Sequence, residues 1–276
     1  MKKLLTLLLA VLMVMSLSAC SGKEDEPAPA PAPETQPDDS QEETGVMTYE
    51  DFVNAQNGDP VVIEAYVQGA QSYYNGAKLY LADKDGGAYF VYCDGKGEDI
   101  NISEDDYAKL VLSTDFSEGW FGVGSGAKVL VLGVKSEWSG EVEITDSIVT
   151  VLDAEPWYAD PEDVTALLGT DELASKMNKY VAFKDMTVAA SQDANGNDVA
   201  FLYNWDGSGE PGSDLYFNVT DGTNTYNFVV ESYLCYDGSI VYEQVEALEI
   251  GQALDLTGFL YWYNGPNPHI TGITLK

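Results

Sequence analysis

A spaced set of glycines limits what this chain can fold into more than any other feature. Gly126, Gly133 and Gly140 recur as Gly251, Gly258 and Gly265, each displaced by 125 residues. Trp138 and Trp262 stand just before the third glycine of each set, and Ile144-Thr145 and Ile270-Thr271 follow it. A glycine frame repeated while the side chains between it change specifies backbone bends rather than side-chain chemistry. The 276 residues therefore read as two copies of one unit.

Within each copy the apolar residues alternate, the period of a strand with one packed and one wetter face. Val61, Ile63, Ala65 and Val67 do so in the first, and Tyr226, Phe228 and Val230 in the second. Leu79-Tyr80-Leu81 with Asp85-Gly86 corresponds to Leu215-Tyr216-Phe217 with Asp221-Gly222, and Asp-Gly between apolar runs marks a hairpin. A helix is expected after the third strand of the first copy. Ser103 caps it, Glu104, Asp105 and Asp106 fill the first turn, and Tyr107, Leu110 and Val111 form its apolar stripe. Residues 242–248 are the counterpart in the second copy, and shorter helical patterns at 48–55, with a Thr-x-x-Asp capping pattern, and 171–179 precede the barrels. Three strands, a helix and two strands is the order of the five-stranded Greek-key barrel known as the OB-fold. The predicted fold is mostly β: two tandem five-stranded OB-fold barrels with short helices, over residues 46–155 and 156–276.

Ahead of the barrels, Lys2 and Lys3 introduce an apolar run from Leu4 to Met15 that ends in Leu17-Ser18-Ala19-Cys20. The pattern reads as an export signal over residues 1–19, too short for a comfortable membrane span. The tetrapeptide resembles the lipobox of bacterial lipoproteins, which implies acylation of Cys20 and attachment to the membrane through that lipid, on the extracytoplasmic face of the cell membrane. Residues 20–45 follow as a disordered stalk, because alternating Pro and Ala from Pro27 to Pro33 favour extended geometry and the flanking carboxylates repel one another.

The stretch from Val67-Gln68-Gly69 through Tyr73-Tyr74-Asn75-Gly76-Ala77-Lys78-Leu79-Tyr80-Leu81-Ala82-Asp83, with Gly133 to Ile144, resembles bacterial lipoproteins with tandem OB-fold domains and OB-fold domains of exported bacterial proteins. Some of those relatives are attached to nucleases, which implies nucleic-acid binding as an alternative function. Against it stands the charge: Lys and Arg number 13 against 46 Asp and Glu, a formal −33. Affinity for nucleic acid comes mainly from cations that displace condensed counterions, so nucleic acid is expected to be an unlikely partner. Lys78, Lys84, Lys96, Lys128 and Lys135 gather in the first copy as the one place for a basic stripe.

For catalysis the inventory is thin. His269 is the only histidine, and a hydrogen-bonded strand residue is its expected role. No G-x-S-x-G is present. Cys93 and Cys235 occupy similar places in separate barrels and are expected to be buried free thiols, and no C-x-x-C suggests zinc. The loops at Asp193 to Asp198 and Asp206 to Glu210 carry oxygen donors without EF-hand spacing, so they read as solvated turns. The expectation is a non-enzymatic protein with no cofactor and no metal.

Aromatic residues supply what chemistry remains. OB-folds take ligands across strands 2 and 3, bordered by the loops joining strands 1–2 and 4–5. That rule nominates Tyr73, Tyr74, Tyr80 and Trp138 in the first barrel and Trp205, Tyr216, Tyr261, Trp262 and Tyr263 in the second, with Tyr89 and Tyr203 nearby. Alternation turns about every second ring inward. Rings flanked by acids suit a glycan, a peptide ammonium group or an envelope protein. An accessory subunit of an exported hydrolase, or such a hydrolase itself, is the other alternative.

Overall fold

The computed structural model describes residues 45–73, 76–93 and 124–276. The export signal, Cys20, the stalk, the helix expected from Ser103 and Tyr74 lie outside the described residues.

A helix α1 (Tyr49–Asn54) precedes five strands, β1 (Pro60–Tyr73), β2 (Gly76–Ala82), β3 (Ala88–Cys93), β4 (Lys128–Trp138) and β5 (Glu141–Val151). They close as β1-β2-β3-β5-β4, with β4 returning to β1 and β3 parallel to β5. Alternation sends Val61, Ile63, Ala65, Val67, Leu79, Leu81, Tyr89, Val91, Val129 and Val131 into one core. Phe52 of α1 meets Tyr89 edge-on at 5.0 Å.

Thr48 and Asp51 form a reciprocal capping box at the start of α1. At the other end the buried Lys135 ammonium donates to the carbonyls of Phe52, Val53 and Ala55, each at 2.8 Å. A short helix leaves its last carbonyls without intrahelical donors, and this lysine serves three of them. Lys135→Met is therefore expected to lower stability by about 3 kcal/mol, read as a fall in the urea midpoint at unchanged slope.

The second barrel is preceded by β6 (Glu162–Asp163) and 3-10 turns at Thr165–Leu167 and Asp171–Lys176. Then come β7 (Tyr180–Ala189), β8 (Ser191–Gln192), β9 (Asp198–Val199), β10 (Phe201–Tyr203), β11 (Leu215–Thr220), β12 (Thr225–Val230), α2 (Ile240–Glu246), β13 (Ala253–Phe259) and β14 (His269–Leu275). β7 pairs with both β11 and β13, which closes the ring β7-β11-β12-β14-β13 in the same order as the first barrel. Both barrels are thus OB-fold-like, and α2, capped by Ser239, lies between the third and fourth strands as the order requires. The pattern at 171–179 does not extend into a full helix, because the chain must turn at once into β7, with Met177 extended and Asn178 at φ 66°.

The repeated glycines answer to two backbone demands. Strand pairing slips at Gly133, between Leu132 and Val134, and again between Thr257 and Gly258. A Cβ on Gly133 would lie 2.5 Å from Ile144 Cγ2, and one on Gly258 would overlap the carbonyl oxygen of His269 and lie 2.8 Å from Ile270 Cα. Ser139 and Gly140, both at positive φ, form the two-residue turn between β4 and β5, and Asn264 and Gly265 hold the matching places at positive φ.

The two cores meet. The outer side of β2 and β3 carries Tyr80 and Phe90, which are buried and belong to the core of the second barrel. Tyr80 stacks on Phe259 at 4.2 Å and 4°, and Phe90 meets Tyr261 edge-on at 5.3 Å. Gln68 ties the connecting segment down, donating to the carbonyls of Tyr66 and Trp157 and accepting from the amide of Ala159.

Candidate functional site

The outer surface of strands 2 and 3 is where an OB-fold lays its ligand, and the two barrels use theirs differently. In the first barrel that surface is the seam. Tyr80 is 1 % exposed, so the expectation that its ring faces a ligand is corrected: apolar burial against Phe259 uses the face instead. Tyr261 is half-buried against Phe90 and the His269 ring, which lies 4.5 Å away. Tyr89 points into the barrel and donates to Asp83 at 2.8 Å. Tyr73 ends β1, opposite Gly76.

His269 sits in the same seam. Its Nδ1 is hydrogen-bonded to the Tyr80 hydroxyl at 2.8 Å and lies 3.5 Å from Glu231 Oε2. Burial, followed by the positive charge of Lys78, pulls the imidazole down to about 3, so it is neutral at ordinary pH. Burial pushes the Glu231 carboxyl up, against the pull of Lys78. Cys93 is buried with its Sγ 3.7 Å from the Ser147 carbonyl, and Cys235 is a buried thiol that burial raises to about 12.

A second group of nominated rings gathers where the β4–β5 turn meets the loop between β13 and β14. Trp138 and Tyr263 lie 5.2 Å apart, 52 % and 49 % exposed. The Trp262 amide donates to Glu141 Oε2 at 2.7 Å, and the Asn264 amide to the Ser139 carbonyl at 2.7 Å. These rings join the barrels while keeping one side toward solvent.

The open strand 2–3 surface belongs to the second barrel. Leu215, Phe217, Val219, Phe228 and Val230 point inward, so Tyr216, Asn218 and Thr220 of β11 and Thr225 and Asn227 of β12 face outward, paired across the strands as Asn218 with Asn227 and Thr220 with Thr225. None of these five side chains is charged. Asn227 Nδ2 donates to Asn218 Oδ1 at 2.9 Å, and Asn218 Nδ2 to the Ala190 carbonyl at 3.1 Å. Burial, then the charges of Asp214 and Glu231, hold the Tyr216 phenol up near 12, so it remains a hydrogen-bond donor. Trp205, 74 % exposed, rises from the loop between β10 and β11. Tyr203 turns away and donates to Glu246 at 2.6 Å. The nominations passed over Asn218 and Asn227, although the alternation that buries Phe217 and Phe228 already placed both outside.

Lysines are unevenly spread. Lys84 lies 4.9 Å over the Tyr66 ring and, with Lys179, Trp157 and Tyr180, lines a cavity of about 230 Å³ that also holds Asp83, Asp160 and Glu162. Asp83 serves the amides of Asp85 and Gly87, and Glu162 pairs with Lys176 and Lys179. The acidic loops are similarly occupied: Asp193 accepts from the amides of Asn195 and Asn197, and Asp206 from that of Ser208.

No family model and no curated protein sequence matches this chain. Solved structures do. A crystal structure of a HINb domain is similar over 80 % of this chain and 97 % of its own at 10 % identity and a TM-score of 0.32. A murine DNA-binding protein bound to double-stranded DNA is similar over 79 % and 94 % at 12 % identity and a TM-score of 0.30. A replication protein A heterotrimer bound to single-stranded DNA is similar over 79 % of this chain and 49 % of that one, at 11 % identity and a TM-score of 0.30. The expectation that nucleic acid is an unlikely partner is corrected, because the charge total it was drawn from does not describe any single face. The physical reason is that −33 is a sum over the whole chain, eight of whose carboxylates lie in residues 24–43, whereas a ligand meets the potential of one face.

Proposed function

We propose that this chain is a non-enzymatic binding protein whose second barrel takes a single strand of nucleic acid across β11 and β12. The observation that supports this reading most is the uncharged outer surface of those strands, with Tyr216 for stacking and the amides of Asn218 and Asn227 for hydrogen bonds to base edges. We further propose that lipid on Cys20 holds the protein on the extracytoplasmic side of the cell membrane, with residues 20–45 as the spacer. Among the described residues no helix is long and apolar enough to cross a membrane. Mass spectrometry of the mature amino terminus tests the anchor, and an unmodified Cys20 ends that part of the proposal.

Fluorescence anisotropy of labelled oligonucleotides with the full chain tests the ligand. Tyr216→Ala is expected to weaken binding about tenfold, since a stacked base contributes roughly 1–3 kcal/mol. Because no lysine stands on this face, affinity is expected to change little with salt, unlike binding through phosphates. Absence of binding at low salt, or binding that Tyr216→Ala leaves intact, removes the reading; a steep salt dependence shifts the contact to the lysine-lined cavity beside Trp157.

A further inference from the structure

Glu141 opens β5 at the junction of the two barrels, and it is fully buried. Its Oε2 accepts the Trp262 amide from the second barrel. Its Oε1 is buried with no donor, and so is Oδ1 of Asn178, which comes from the segment leading into β7. Asn178 Nδ2 donates to the Val142 carbonyl at 3.0 Å, and the Asn178 side chain favours the charged form of Glu141 without offsetting its burial. A carboxylate oxygen without a donor, on a side chain that is fully buried, makes the charged form costly and the carboxylic acid the easier state.

The surrounding charges agree. Glu143, two residues along β5, is buried too and adds repulsion, and Glu141 in turn raises the phenols of Tyr80 on β2 and Tyr261 in the loop before β14. Lys78 on β2 acts on Glu143 and Glu231. Among the described residues, no group acting on Glu141 is a cation.

We propose that Glu141 is a proton-dependent latch between the barrels: it is the neutral acid, its proton on the buried Oε1, while Oε2 holds the Trp262 amide. Its ionisation leaves a buried charge compensated, among the described residues, by the Trp262 amide and the Asn178 side chain, at the point where the β4–β5 turn is fastened to the second barrel. That fastening helps keep the second barrel over Tyr80 and Phe90, so the latch governs how firmly the strand 2–3 surface of the first barrel is covered. Burial pushes the carboxyl up to about 8, against hydrogen bonds from Asn178 and Trp262 that favour the charged form. The unfolded chain loses this proton near the ordinary glutamate value. Between that value and about 8 the folded state therefore binds the extra proton, and stability falls as pH rises through the interval and levels off above it.

The test compares thermal unfolding of the full chain and of Glu141→Gln between pH 6 and pH 9. The amide copies the neutral acid, accepting from the Trp262 amide without titrating. The midpoint of the native protein is expected to fall relative to the variant by about 6 °C across that range. Parallel profiles overturn the proposal. Infrared difference spectra give an independent reading: a protonated carboxyl band at pH 6 that is absent from Glu141→Gln supports the latch. If the native protein lacks that band at pH 6, Glu141 is ionised and the inference fails.

Discussion

Tyr80→Ala is expected to lower the stability of the chain by about 4 kcal/mol and to divide one unfolding transition into two. The ring is buried, stacked on Phe259 at 4.2 Å, and packed on Phe90 at 5.0 Å. Removing it leaves a cavity between two sheets that each close on themselves, so neither barrel can collapse far to refill it. The hydroxyl also leaves His269 Nδ1 without its partner at 2.8 Å. Tyr80→Phe separates these contributions, keeping the stack and losing only the hydrogen bond, for about 1 kcal/mol. Urea unfolding followed by tryptophan fluorescence and by circular dichroism reads both. Coincident, unshifted transitions for Tyr80→Ala would show that the seam contributes nothing to cooperativity.

Gly258→Ala is expected to be as damaging for a different reason. The added methyl group would overlap the His269 carbonyl oxygen and approach Ile270 Cα at 2.8 Å, and both are backbone atoms of the neighbouring β14. A flexible side chain can swing aside, but here the strand pair must part. A loss of about 3 kcal/mol or more is expected, at the upper end of overpacking. His269 would move with its strand, so the Tyr80 contact should weaken too. Gly133→Ala meets the end of Ile144 at 2.5 Å and the Thr145 carbonyl at 2.9 Å. Ile144 can adjust in part, so the expected loss is smaller. Equal tolerance at both positions, measured by thermal midpoints, would contradict this account.

The fold was legible because its signals are local. Period-two alternation, Asp-Gly turns and the displaced glycine frame each depend on a few neighbouring residues, and they specify strand, turn and bulge wherever the chain places them. The same alternation separated Phe217 and Phe228 from Asn218 and Asn227. It could say that Tyr80 points away from the interior of its own barrel, and that was correct. It could not say that the outside of one barrel is the inside of the seam.

The seam arises from pairs distant in sequence. Tyr80 meets His269 across 189 residues and Glu141 meets Trp262 across 121. No periodicity joins such residues, and a charge total cannot show which carboxylates are buried, paired or turned toward a ligand. By itself the sequence determined the strand order, the bends at Gly133, Gly140, Gly258 and Gly265, and which side of each strand is apolar, because backbone sterics and side-chain alternation act over a few residues. Tertiary structure alone decided that the strand 2–3 surface of the first barrel is covered while that of the second stays open, and that, among the described residues, no cation acts on Glu141. Burial and dielectric environment belong to the assembled barrels, since they depend on what another part of the chain brings against a surface.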